Sequence, residues 1–167
     1  FNNLENHKDS IVGDDCFFCI GTTKKNTPDK NEYINIEYNL PIEVAKIAKS
    51  NSVNNFIYVS SIGANTNASG LYLKNKGQAE EELKKLNFSK LSIMRPSILL
   101  GNRKENRVGE KIGIFVMKTL SPLFLGKMKK YKPIKVENVA KTMLHVVRND
   151  YQKTIFESDE IIEISNL

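Results

Sequence analysis

An apolar run closed by two serines, followed by a helix that opens on a tyrosine and a lysine one turn apart, constrains this chain more than any other feature. Phe56-Ile57-Tyr58-Val59 leads into Ser60-Ser61. An uninterrupted apolar run of strand length fits a strand covered on both faces of a parallel sheet. Tyr72-Leu73-Lys74-Asn75-Lys76 follows and runs into a strong helical segment at 74–86. There Ala79, Leu83 and Leu86 share the inward stripe, while Glu80/Lys84 and Glu81/Lys85 are spaced as i,i+4 pairs on the outside.

The same alternation runs along the rest of the chain. Residues 1–15 read as a loop with a short helix. The apolar run at 16–20 is expected to be a strand buried on both faces, and Gly21-Thr22-Thr23 ends it. Residues 24–32 read as an exposed loop. The segment 34–50 has helical spacing, with Leu40, Val44, Ile47 and Ala48 on one stripe, and the regular helix is expected to begin near Pro41. A strand at 91–94 stops at Arg95-Pro96, and 98–101 continues extended. A polar loop at 102–110 and an apolar helix at 112–120 follow. The segment 136–147 is the clearest helix, with Val136, Val139, Ala140, Met143, Leu144 and Val147 on the 3.6 period. The tail carries two strand candidates, 154–157 and 161–164. Strands alternating with helices imply an α/β protein built of βαβ units on a parallel sheet. Residues 1–167 are read as one domain, with 102–130 as the segment bordering the substrate.

Composition removes several function classes. The chain has 167 residues, 40% apolar and 26% charged, which is ordinary for a globular protein with a real core. No run reaches the roughly 18 apolar residues needed to span a bilayer, and no membrane partner is expected. The net charge of +6 comes mostly from scattered lysines. The one dense cluster, Lys127, Lys129, Lys130, Lys132 and Lys135, reads as a solvated basic face. It lacks the aromatic pattern of a nucleic-acid module, so that class of partner is disfavoured. Cys16 and Cys19 form C-x-x-C around Phe17-Phe18, inside a strand pattern rather than at a helix start. The only histidines are His7 and His145, too few to complete an obvious zinc site. Core cysteines are expected, in a reducing cytoplasm.

Tyr-x-x-x-Lys is common in so lysine-rich a chain; chance alone supplies roughly one match. Two occur, Tyr72/Lys76 and Tyr131/Lys135. Pro133 interrupts the second, whereas Tyr72 and Lys76 fall on one face at the start of a helix. The residue types then form a chemical set. A phenol with a pKa near 10 is a poor base at neutral pH. A neighbouring ammonium would lower that pKa, so Lys76 is expected to activate Tyr72 as acid/base. Ser61 would hydrogen-bond and orient a substrate oxygen. Spacing alone equally allows a purely structural role, with Tyr72 packed, Lys76 solvated and the serines capping the next segment.

Taken in order, Val59-Ser60-Ser61, Tyr72-x-x-x-Lys76 and Arg95-Pro96 after the next strand resemble the extended and atypical short-chain dehydrogenases/reductases. Cys19-Ile20-Gly21-Thr22-Thr23, Ser60-Ser61-Ile62-Gly63-Ala64-Asn65, Lys76-Gly77 and the stretch Arg95-Pro96-Ser97-Ile98-Leu99-Leu100-Gly101 narrow the resemblance to the subgroup of the Tat-interactive protein 2 oxidoreductase. It covers most of the chain, from about Phe1 to Val147. The resemblance implies a Rossmann-like, doubly wound parallel sheet binding NADP or NAD, with NADP slightly favoured. It implies catalytic roles for Ser61, Tyr72 and Lys76. Cofactor contacts would come from Gly21, Thr22 and Thr23 at a strand's carboxyl end, from Lys76 on a ribose hydroxyl, and from Arg95, Pro96 and Ser97 near the nicotinamide. The expected function is carbonyl/alcohol hydride transfer on an unidentified small molecule. The alternative is a nucleotide-binding regulatory or scaffolding protein without turnover.

The chain departs from that family at its start. No Gly-rich phosphate loop is present among its nine glycines. The chain is expected to be an N-terminally truncated fragment that lacks roughly sixty residues, including the first strands and that loop. The run at 16–20 would then be a sheet edge without its neighbour. Such edges invite association, so a homo-oligomer is left open.

Overall fold

The computed structural model describes residues 4–101 and 126–167. Its centre is a four-stranded parallel sheet of β1 (Asp15–Phe18), β2 (Asn55–Val59), β3 (Lys90–Arg95) and β6 (Ile155–Glu157), in the order β1-β2-β3-β6. The register pairs Phe56 with Cys16 and with Leu91, and Met94 with Phe156. Helices α1 (Lys30–Ile34) and α2 (Leu40–Ser50) precede β2, α3 (Leu71–Lys85) precedes β3, and α4 (Val136–Arg148) precedes β6. Helix α5 (Ser158–Ile164) follows β6, and two short strands, β4 (Leu99–Leu100) and β5 (Ile134–Lys135), pair in parallel beside the main sheet.

Period-2 alternation sends the central strands into two cores. Phe56, Tyr58 and Ile93 pack with Leu40, Ala45, Ala79 and Leu83 under α2 and α3. Ile57, Met94 and Phe156 pack with Val139, Met143, Val146 and Ile161 under α4 and α5. Both faces of β2 and β3 are covered, which is why those strands are continuously apolar. This is the doubly wound parallel arrangement the sequence implied, in the part of the sheet from β1 to β6.

Several expectations are corrected. The first strand is shorter than 16–20; it ends the described sheet as expected, and it is not buried on both faces: Phe18 is buried, but Phe17 is 39% exposed. For the same reason the cysteines are not core residues: Cys16 is half-buried and Cys19 exposed. Burial pushes the Cys16 thiol up to about 11, with a smaller push from Cys19, and burial also raises Cys19. The helix before β2 begins at Lys30, well before Pro41, behind Asp29, whose carboxylate accepts a hydrogen bond from the Glu32 N–H at 2.8 Å. It passes the proline through a π turn, Asn35–Asn39, in which the Leu40 N–H reaches back to the Asn35 carbonyl. Pro41 has no N–H to give, so the turn widens instead of ending. The buried stripe of α4 is Val139, Thr142, Met143 and Val146, rotated from the expected one; Val136 and Leu144 are exposed. The second strand candidate in the tail, 161–164, is part of α5, started by a capping box between Glu157 and Glu160. The apolar helix at 112–120 and most of the segment 102–130 lie outside the described residues.

Gly77 is required by a close approach. A Cβ at this position would lie 2.4 Å from the carbonyl carbon of Asn65, on the loop that crosses α3. Helix propensity alone would favour alanine by about 1 kcal/mol. Backbone atoms do not yield, however, and overpacking costs about 1–3 kcal/mol. Gly77→Ala should therefore lower the denaturation midpoint; an unchanged or raised midpoint would show that the loop is free to move.

Candidate active site

The carboxyl ends of β1 and β2, the π turn and the first two turns of α3 meet at one buried carboxylate. Glu37, in the middle of the π turn, is 1% exposed. Its Oε1 accepts a hydrogen bond from the Thr22 N–H at 2.6 Å. Its Oε2 lies 3.0 Å from the Lys76 Nζ as an ion pair. Gly21 packs against the same group; a Cβ there would sit 3.3 Å from Oε1. The turn expected to meet the cofactor and the lysine expected to hold its ribose are thus joined through Glu37.

Lys76 is 3% exposed, contrary to a solvated role. It donates to the Val59 carbonyl at 3.2 Å, at the end of β2, and its ammonium lies 4.9 Å from the ring centre of Tyr58 and 6.0 Å from that of Tyr72. With one N–H on Val59 and one directed at Glu37, the third donor of the ammonium remains for a ligand. Burial pulls the Lys76 pKa below the ordinary lysine value, against an upward pull from Glu37.

Tyr72 is half-exposed at the start of α3, as its position one turn before Lys76 requires. Its pKa is raised rather than lowered. Burial is the main cause, the Glu37 carboxylate adds to it, and the Ser61 side chain beside the phenol opposes it. This corrects the expectation that Lys76 lowers the pKa of Tyr72: the lysine charge is met by Glu37. The Ser61 hydroxyl makes a long contact to the Ile62 carbonyl at 3.4 Å and lies within hydrogen-bond reach of the Tyr72 phenol. Ser60 is buried and donates to Glu80 Oε1. Of the two serines, Ser61 is the one whose hydroxyl sits beside the phenol.

The remaining candidates are engaged within the chain. Arg95 donates from Nε to Glu80 Oε1 at 3.0 Å and from Nη2 to Glu80 Oε2 at 2.5 Å, and reaches Glu157 at 3.3 Å. The Pro96 carbonyl accepts from the Ile62 N–H at 3.0 Å. Ser97 donates to the Lys132 carbonyl and accepts from Ser158. The Thr22 hydroxyl is paired with Thr27 at 2.7 Å. Gly21 and Thr23 are the exposed members of their turn. Glu80 is therefore not the outer partner of Lys84: it is 1% exposed, and the surface pairs are Glu81/Lys84 and Glu82/Lys85. Sequence reasoning missed Glu37 and Glu80. The available signal was position: Glu37 falls on the stripe of Leu40 and Val44, and Glu80 lies four residues after Lys76 and three before Leu83.

No family model matches the chain. It is 34% identical over 158 residues to Protein FMP52-1, mitochondrial, of Scheffersomyces stipitis, covering 89% of this chain and 68% of that protein. The chain belongs to the FMP52 family. An FMP52 protein of Candida albicans, also named mitochondrial, is 29% identical over 171 residues, with 95% of this chain and 72% of that protein covered. Protein HTATIP2 of Rattus norvegicus is 33% identical over 111 residues, covering 66% of this chain and 46% of that protein. The matched region spans just over two thirds of these two FMP52 proteins and about half of HTATIP2. Among solved structures, MoeE5 in complex with UDP-glucose and NAD superposes with a TM-score of 0.62 at 12% identity, over 96% of this chain and 64% of that one. A UDP-N-acetylglucosamine 4-epimerase from Methanobrevibacter ruminantium M1 gives 0.61 at 14%, over 93% and 61%. At such identities the likeness establishes the fold. The FMP52 and HTATIP2 relatives together with these Rossmann-like neighbours make the chain an atypical short-chain dehydrogenase/reductase-like protein.

The FMP52 names overturn the expectation of a cytoplasmic setting. The expectation rested on cysteine usage, which reports a reducing environment and does not tell one reducing compartment from another. Among the described residues, no helix is long and apolar enough to cross a membrane.

Proposed function

We propose that this protein is an NAD(P)-dependent oxidoreductase acting on a carbonyl/alcohol pair, working in the mitochondrion as the names of its FMP52 relatives suggest. The observation that carries this reading is the convergence of a serine hydroxyl, the half-exposed phenol beside it and a buried ammonium at the carboxyl end of β2, with Gly21-Thr22-Thr23 tied to the same cluster. Ligands of open parallel sheets bind beyond the carboxyl ends of the strands. The bound dinucleotide supplies or accepts the hydride. Lys76 fits a ribose hydroxyl with its remaining N–H, and Gly21 and Thr23 offer an exposed turn beside it. Arg95, Pro96 and Ser97 would shape the nicotinamide end through backbone position, since their polar groups are engaged in the chain. Ser61 orients the substrate oxygen, and Tyr72 passes it a proton. Tyr72 is protonated at neutral pH, and its raised pKa extends that proton-donating form to more alkaline pH.

One observation favours the alternative, a nucleotide-binding protein without turnover: Glu37 offsets the lysine charge that would otherwise activate the phenol. A fluorescence titration of the gene product containing this chain with NADPH and with NADH, followed by turnover against a panel of carbonyl compounds, tests both readings. Saturable binding with turnover is the expected result. Binding without turnover selects the alternative, and no binding of either nucleotide overturns both.

A further inference from the structure

We propose that Glu37 is the positioning residue of this site, holding the Lys76 ammonium beneath Tyr72 and locking the Gly21-Thr22 turn against it. The inference rests on the oxidoreductase reading for its functional meaning but is argued from geometry alone. Three elements distant in sequence meet at this one carboxylate. Oε1 takes the Thr22 N–H at 2.6 Å, Oε2 faces the Lys76 Nζ at 3.0 Å, and Gly21 leaves the space the carboxylate occupies. Both charged groups are almost fully buried, at 1% and 3% exposure, so each depends chiefly on the other for compensation. A buried charge without its counter-charge is strongly destabilising. The pair therefore confines Lys76, whose side chain would otherwise sample many rotamers, to a place from which one N–H remains for a ligand.

The groups facing the pair come from every element around it. Tyr33 on α1 is pushed up to about 12 by burial, with Glu37 and then Tyr72 adding to it. Tyr58 on β2, beneath the ammonium, is raised well above its ordinary value, by burial first and then by Glu37, Glu80 and Tyr72. Tyr72 and Glu80 approach from α3. Of these, Glu37 is the group that contacts both Lys76 and the turn.

The test reads Lys76 directly, in the gene product containing this chain and with no dinucleotide present. Lysine labelled at Cε and Nζ is followed by NMR across alkaline pH, the Lys76 signal being identified by its loss in K76M. Glu37→Gln keeps an acceptor for the Thr22 N–H and removes only the charge. The Lys76 titration midpoint should fall by about one pH unit or more in E37Q, and NADPH affinity should weaken by about tenfold. An unchanged Lys76 midpoint in folded E37Q overturns the proposal. If E37Q does not fold, the double variant E37Q/K76M should, because it removes both buried charges; a double variant no more stable than the single one also overturns it. Failure of the unsubstituted protein to bind NADPH would instead strike the oxidoreductase reading, while the Lys76 titration would still decide the role of Glu37.

Discussion

Tyr72→Phe is expected to reduce turnover by about 10²–10⁴-fold in the gene product containing this chain, the usual worth of a positioned acid/base. Dinucleotide affinity should stay within a factor of about two, because the substitution removes one hydroxyl from a half-exposed ring and leaves the Lys76–Glu37 pair untouched. In the proposed mechanism, carbonyl reduction uses the protonated phenol of the unsubstituted protein. Burial and Glu37 raise the Tyr72 pKa from its ordinary value of 10.0. The sign follows directly: the protonated, active form persists below the raised pKa, and activity is lost only as pH rises through it. The alkaline limb of kcat/KM, which reports the free enzyme, should accordingly lie above the ordinary phenol value of 10.0. Turnover retained in Y72F, or a limb near neutrality, would remove Tyr72 from the mechanism.

The second large effect concerns stability. Glu80 is the hub that joins α3 to the carboxyl ends of β2 and β3. It accepts from Ser60 and twice from Arg95, and Arg95 in turn reaches Glu157 at the end of β6. Glu80→Ala leaves a largely buried guanidinium with only the longer Glu157 contact, and it leaves the buried Ser60 hydroxyl without its acceptor. Removing one partner of a buried pair costs about 3–5 kcal/mol, a large share of the roughly 5–15 kcal/mol that holds a typical domain together. Glu80→Ala should therefore unfold at a markedly lower denaturant concentration. Adding Arg95→Leu should recover part of the loss, since no uncompensated charge then remains. A loss below about 1 kcal/mol in E80A would mean that water reaches Arg95 and the network is a surface feature.

The resemblance to structures complexed with sugar nucleotides is confined to the fold. Chemistry therefore has to be argued from the site, and the site is built from residues that sequence reading ranked very differently. The placement of Ser61 after a strand and of Tyr72 and Lys76 at a helix start was legible because those positions follow from local pattern, and i,i+4 spacing sets a shared face. The orientation of Lys76 was not legible. Its burial depends on Glu37, which is 39 residues away in the chain and looks from sequence like one more surface acid. Likewise Glu80 and Lys84 have the spacing of an exposed pair. The tertiary fold turns Glu80 inward because Arg95, delivered by the next strand, awaits it there.

The amino-acid sequence by itself determined the α/β class, the parallel strands at the centre and the order in which serine, tyrosine and lysine arrive at one end of the sheet. These follow from apolar periodicity and from the directionality of βαβ units, which are local and nearest-neighbour properties. Only the tertiary structure decided which carboxylates are buried and which of them meets Lys76. Those outcomes depend on which charges meet across elements and how much water is excluded, and neither is encoded in the spacing along a single segment.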